Sequence, residues 1–304
     1  MPLDPSVKKL LQLIPTLPLG KVSIEEARKA FRQMASSAPK EDVGKVEDIK
    51  IKGSEVEIPV RIYYPKSPPP YGILVYFHGG GFVLGDIESY DPLCRAITNS
   101  CNCVVASVDY RLAPEHKFPS AVIDAYDATK WIYENAEKFN ATKGVAIGGD
   151  SAGGNLTAVV ALMARGNMNL KYQVLAYPAV GIDFTSKSSV EYSEGYFLTA
   201  EQIQWFGLQY LKSPADAFDY RFSPILSNDL SGLPPALVIT AEYDPLRDQG
   251  ETYASRLAEA GVPVTSVRFN GVIHGFLSFY QYLKQGRDAI SLIGSVLKNA
   301  FYGS

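Results

Sequence analysis

The sequence predicts an α/β protein built on a mostly parallel sheet with helices on both faces. Short apolar runs at 73–77, 103–108 and 145–147 have the near-continuous hydrophobicity of strands buried on both sides. Strand-like and helix-like segments alternate along the chain with short connections, the order that a parallel sheet requires. In the stretch 145–156 an apolar run turns sharply through Gly148-Gly149-Asp150-Ser151-Ala152-Gly153-Gly154 and leaves as a helix rich in Ala, Leu and Val.

From the N-terminus, residues 3–38 read as helical. Val7, Leu10, Leu11 and Ile14 make one apolar stripe. Ser23, with Glu26 three residues on, forms a capping box ahead of Ala27, Ala30, Phe31 and Met34. Strands follow at 46–51 and 56–64, before a turn at Ser67-Pro68-Pro69-Pro70. The strand 73–77 ends in His78-Gly79-Gly80-Gly81-Phe82. A helix is expected over 89–99, a strand over 103–108, a loop over 109–116 and a helix over 120–139. Beyond the serine turn and its helix lies a strand at 172–176, stopped at Pro178. The segment 183–214 breaks the alternation and is aromatic and irregular, with Tyr192, Tyr196, Phe197, Trp205, Phe206 and Tyr210. Alternation resumes with a strand at 236–240, a helix at 249–260, a strand at 264–269, a loop carrying His274 and a last helix at 285–300.

The 304 residues are 46% hydrophobic and 20% charged, as in an ordinary globular chain. A net charge of −3, with no basic patch, argues against nucleic-acid and anionic-membrane partners. No apolar run approaches the length of a membrane span. The stretch 1–6 lacks the charged and apolar regions of an export signal, so a cytoplasmic location is expected. Cys94, Cys101 and Cys103 form neither a disulfide framework nor zinc spacing, and read as small core residues.

The chemistry centres on Gly149-Asp150-Ser151-Ala152-Gly153, a G-x-S-x-G match in a strand–turn–helix setting. A nucleophilic serine must stand clear of the backbone, on a turn too tight for side chains two residues either side. At a helix N-terminus, free N–H groups favour the negative charge that develops during attack. The hydroxyl also needs a base, a carboxylate to orient the base, and donors for the oxyanion. Among His78, His116 and His274, the chain order Ser…Asp…His selects His274 as the base. Asp244, after the 236–240 strand, is the expected acid, with Asp248 as the alternative and otherwise a cap for the next helix. Gly80 and Gly81, with Ala152, are the expected oxyanion donors; Gly79 serves the turn and His78 holds the loop. Asp150 reads as part of the turn, and the charges of Asp109 and Arg111 as a structural ion pair or cap network. The rate is expected to fall in acid, because a protonated His274 cannot accept the serine proton. All these residues follow strand ends, where the sites of parallel sheets lie.

Together, His78-Gly79-Gly80-Gly81, the loop 109–115, Gly149-Asp150-Ser151-Ala152-Gly153-Gly154, Asp244-Pro245-Leu246-Arg247-Asp248 and His274-Gly275-Phe276 resemble the hormone-sensitive-lipase-like carboxylesterases of the α/β-hydrolases. The resemblance runs from about residue 40 to the end. It implies a single domain of α/β-hydrolase fold, with an eight-stranded, mostly parallel sheet and a helical cap from about 1–40 and 183–214. It also implies hydrolysis of short- to medium-chain carboxylic esters by Ser151, His274 and Asp244 through an acyl-enzyme, without metal or cofactor. The aromatic segment would then wall the acyl site, with Phe197 and Leu198 as contacts. The partner expected is a small-molecule ester, with no nucleic acid and no membrane. The strand at 264–269 is expected at a sheet edge that offers a homodimer contact. Aryl amide or lactone cleavage on the same triad is the alternative chemistry. A binding protein that keeps the fold is disfavoured by the presence of His274, which the similar plant gibberellin receptors lack, and a long-chain lipase by the absence of an obvious apolar lid.

Overall fold

The computed structural model describes residues 2–14, 19–36 and 38–303. Eight strands form one sheet: β1 (Lys45–Lys52), β2 (Glu57–Tyr64), β3 (Ile73–Phe77), β4 (Val104–Val108), β5 (Val145–Asp150), β6 (Gln173–Ala176), β7 (Ala236–Tyr243) and β8 (Val264–Ile273). Their order is β1-β2-β4-β3-β5-β6-β7-β8; β2 pairs antiparallel with β1 and β4, and every other pair is parallel. Because β3 lies between β4 and β5, the chain switches direction across the sheet at β3. Loops leaving the carboxyl ends on either side of such a switch diverge and open a crevice.

The helices are α1 (Pro5–Leu13), α2 (Ile24–Ser36), α3 (Ile87–Cys101), α4 (Ser120–Glu134), α5 (Ala152–Ala164), α6 (Lys187–Glu191), α7 (Ala200–Tyr210), α8 (Arg247–Glu259) and α9 (Lys284–Tyr302). Successive strand side chains point to opposite faces. Ile73, Val75 and Phe77 of β3 accordingly belong to the core layer that includes residues of α4, α5 and α8, while Leu74 and Tyr76 belong to the layer that includes residues of α1, α3 and α9. All five are buried, which is why this strand is apolar at every position rather than at alternate ones.

Several boundaries differ from expectation. The helix expected over 120–139 stops at Glu134, and Ala136–Phe139 forms a separate 3-10 turn. The segment read as irregular contains α6 and α7; Thr199 caps α7 in a reciprocal box with Gln202, a signal the aromatic run obscured. The capping box of Ser23 with Glu26 stands as expected. All three cysteines are buried in the core, as expected, but Cys101 and Cys103 are joined as a disulfide, leaving Cys94 free. Asn102 between them is left-handed at φ 53°, which reverses the chain after α3 and turns both side chains to one side. Among the described residues, no helix is long and apolar enough to cross a membrane, and no cluster of His, Cys, Asp or Glu could hold a metal ion.

Polar contacts fasten the outlying helices. In α2, Arg28 donates to the carbonyls of Val83 (2.8 Å) and Ala113 (2.9 Å) and pairs with Glu115, while Arg32 pairs with Asp86. Asp248 does not cap α8. Its carboxylate accepts from the Ser188 N–H of α6 at 2.8 Å, and Ser188 Oγ accepts from the Asp248 N–H at 3.0 Å. The ion pair expected at Arg111 is made with Asp124 of α4, not with Asp109. Asp124 accepts from the Arg111 N–H at 2.9 Å and from Nη2 at 2.7 Å, and is itself buried. Arg111 is partly exposed and also pairs with Glu55 at 2.8 Å, so Asp124→Ala removes the buried half of its acceptors and should cost about 2 kcal/mol in urea unfolding, the scale of lost hydrogen bonds to a charged group.

Candidate active site

β5 ends in a forced turn. Ser151 sits at φ 54°, ψ −116°, with α5 beginning at the next residue. A methyl group at Gly149 or Gly153 would run into the Phe77 carbonyl, so glycine at both positions is a matter of space. The Ser151 N–H donates to Ala176 O at 2.9 Å, tying the turn to β6, and its side chain lines the crevice.

β7 and β8 bring the other two groups. β8 runs four residues beyond the expected strand, to Ile273, so His274 stands directly at its end. His274 Nε2 lies 2.9 Å from Ser151 Oγ, and Nδ1 lies 2.7 Å from Asp244 Oδ2. The other Asp244 oxygen accepts from the Leu246 N–H at 2.8 Å. Asp244 is fully buried, and the edge of the Tyr177 ring packs on the imidazole with centroids 4.8 Å apart. An ionised carboxylate only accepts, so Nδ1 must carry the ring proton and Nε2 is left to accept from the serine hydroxyl. The structure thus brings together three expected residues separated by 123 and 30 positions in the chain. Asp248 and His116 lie outside this arrangement.

The glycine loop follows β3. Gly80 and Gly81 have φ of 113° and 62°. Val83 and Leu84 N–H groups fold back onto Gly80 O at 3.1 and 2.8 Å. Among the described residues, no acceptor is paired with the N–H groups of Gly80, Gly81 or Ala152. His78 is buried behind the loop, stacked on Tyr110 at 4.3 Å, with the Tyr110 hydroxyl donating to His78 O at 2.7 Å. Burial pulls its imidazole down to about 4, so it is neutral. Gly79 is outside the left-handed region, and its N–H is held by Asp150 Oδ1 at 3.1 Å and the Tyr90 hydroxyl at 3.0 Å. Asp150 points away from Ser151 into the interior, where burial pushes its carboxyl up to about 6.

Ser151, His274, Gly80, Gly81 and Ala152 line a cavity of about 900 Å³ that also takes in side chains of α2 and α7. Phe197 and Leu198 line it as well; Phe197 is left-handed at φ 75°, with its ring edge-on to Phe279 at 5.6 Å. Sequence reasoning missed Phe206, whose ring occupies the space beside Gly81, and Phe31 of α2. Both stood in recognised helical or aromatic stretches, but nothing local marks which ring of such a stretch turns inward.

The family of the alpha/beta hydrolase fold matches residues 74–278. An arylesterase of Saccharolobus solfataricus is 44% identical, over 99% of this chain and 100% of its own. An ethyl acetate hydrolase of Pseudomonas putida is 34% identical, over 98% of this chain and 99% of its own. Among solved structures, a hyperthermophilic esterase from the archaeon Pyrobaculum calidifontis superposes with a TM-score of 0.93 at 48% identity, covering 98% of this chain and 99% of that one. Sheet order, strand-end site and these likenesses agree, and the chain belongs to the carboxylesterase family of the α/β-hydrolases.

Proposed function

We propose that this carboxylesterase acts on short- to medium-chain esters, with Ser151 as nucleophile, His274 as base and then acid, and Asp244 as the orienting carboxylate. The observation that carries the reading is the imidazole of His274, held between Ser151 Oγ at 2.9 Å and Asp244 Oδ2 at 2.7 Å on an apolar cavity. Oγ attacks the ester carbonyl while Nε2 takes its proton, and Asp244 stabilises the imidazolium that forms. The N–H groups of Gly80, Gly81 and Ala152 receive the oxyanion. The imidazolium then protonates the departing alcohol, and water, activated by the same base, releases the acid from the acyl-enzyme.

The elements within 1–40 and 183–214 serve as a cap: α2 and α7 side chains line the cavity that holds Ser151. The relatives named for aryl esters and for ethyl acetate favour a small acyl group with a leaving group of variable bulk. Phe197 and Leu198 bound the acyl side. A homodimer is also proposed through β8, an edge strand of the sheet. The Asp4 N–H covers its far end at Gly271 O, which leaves 264–269 with β7 as its ladder partner.

Hydrolysis of p-nitrophenyl esters from acetate to palmitate should peak at short or medium chains. Ser151→Ala should lower turnover by about four powers of ten or more; turnover that survives in the variant would refute the assignment. Phe197→Ala should move the optimum toward longer acyl chains, read as the ratio of kcat/KM values along the same series. Light scattering should give twice the chain mass, and a monomer mass would remove the β8 contact.

A further inference from the structure

We infer that Asp150 is a positioning residue for oxyanion stabilisation: its buried carboxylate pins the Gly79 N–H and so fixes the glycine loop relative to Ala152. The inference rests on the proposed reading of Gly80, Gly81 and Ala152 as the oxyanion donors. Those donors come from two different loops, one after β3 and one after β5. The ladder between these strands ends at the pair Phe77–Gly149. Beyond that pair, no backbone hydrogen bond joins the two loops among the described residues.

The Asp150 side chain supplies the missing link. Oδ1 accepts from the Tyr76 hydroxyl at 2.8 Å and from the Gly79 N–H at 3.1 Å. Oδ2 accepts from the Tyr90 hydroxyl at 3.0 Å, and that hydroxyl in turn accepts from the Gly79 N–H at 3.0 Å. The Gly79 N–H is therefore shared between two acceptors of one network. Gly79 directly precedes Gly80, and Asp150 directly precedes Ser151 and Ala152. The two halves of the donor set are thus joined through one carboxylate. The contact also explains the third glycine of the loop: a Cβ at Gly79 would stand 2.7 Å from Asp150 Oδ2 and 2.9 Å from the Tyr90 hydroxyl.

A pin that served packing alone would not need a charge. Asp150 is 2% exposed and, among the described residues, forms no salt bridge with a Lys, Arg or His. Burying a carboxylate in this way is costly, and the cost shows in the rise of its proton affinity. The carboxylate offers acceptors only. Asn at this position would turn an N–H₂ toward the Tyr90 hydroxyl, which would then have to accept from it in competition with Gly79.

The test compares Asp150→Asn, Tyr90→Phe and the double variant on p-nitrophenyl acetate, and measures inhibition by a trifluoromethyl ketone. In that adduct Oγ adds to the ketone carbon, its proton passes to His274, and the former carbonyl oxygen becomes the oxyanion. Each single variant should lower kcat about 10- to 100-fold, as a small misplacement of donors does, with KM within about twofold. Ketone affinity should fall by the same factor. The double variant should cost no more than the worse single one, because both act through the same Gly79 anchor. An unchanged kcat, a loss confined to KM, an undiminished ketone affinity or multiplicative losses in the double variant would each overturn the inference. Should Asp150→Asn fail to fold, Tyr90→Phe with Asp150 intact carries the same test. Turnover retained in Ser151→Ala would instead sink the proposed function itself.

Discussion

Ser151 is held in a backbone conformation that a residue with a side chain adopts at a cost of about 1–3 kcal/mol, and the surroundings are arranged to impose it. Its N–H is taken by Ala176 O and its carbonyl by the Asn155 N–H. The Asn155 side chain donates to Ala179 O at 2.6 Å and Phe222 O at 2.7 Å, so the first turn of α5 is bound to the segments beyond β6. With Gly149 and Gly153 pressed against the end of β3, the chain has no room to relax. One consequence points outward, where Oγ meets His274. The other points inward, where Asp150 is forced into the core beside two tyrosines. A single strained residue thus sets both the face turned to His274 and the buried network behind it.

The imidazole is positioned just as firmly. Its carboxylate partner is fully buried, with one oxygen on Nδ1 and the other on the Leu246 N–H. Neither Asp244 oxygen is free to rotate toward solvent, and the ring is braced by Tyr177. In the role proposed for them, groups held in place this way need no reorganisation when charge develops.

The parts of the site that depend on chain-local rules were legible in the sequence. The serine turn needs glycines at fixed offsets, and the strand-end positions of Asp244 and His274 follow from the alternation of elements. What was not legible depends on registry between distant segments. Asp150 could be assigned to the turn, but its partners Tyr76 and Tyr90 lie on β3 and α3, and nothing near Asp150 in the chain names them. The choice of Asp124 over Asp109 by Arg111 is set by how α4 lies against the sheet. The pairing of Cys101 with Cys103 depends on one left-handed asparagine. For α7 the local start signal, the box of Thr199 and Gln202, lies inside a dense aromatic run with no clear helical stripe of its own.

The stretch 244–248, which leads into α8, has a dual attachment. Its first residue holds the imidazole, and its last clasps α6 through the reciprocal Ser188 contacts, with Arg247 close to the Tyr192 ring. α6 is therefore coupled to the carboxylate that holds His274 through one short stretch of backbone. A shift of α6 as a body would be transmitted through the Ser188 clasp to Asp244 and so to the imidazole, whereas a change of side chain on the cavity face alone need not disturb that clasp.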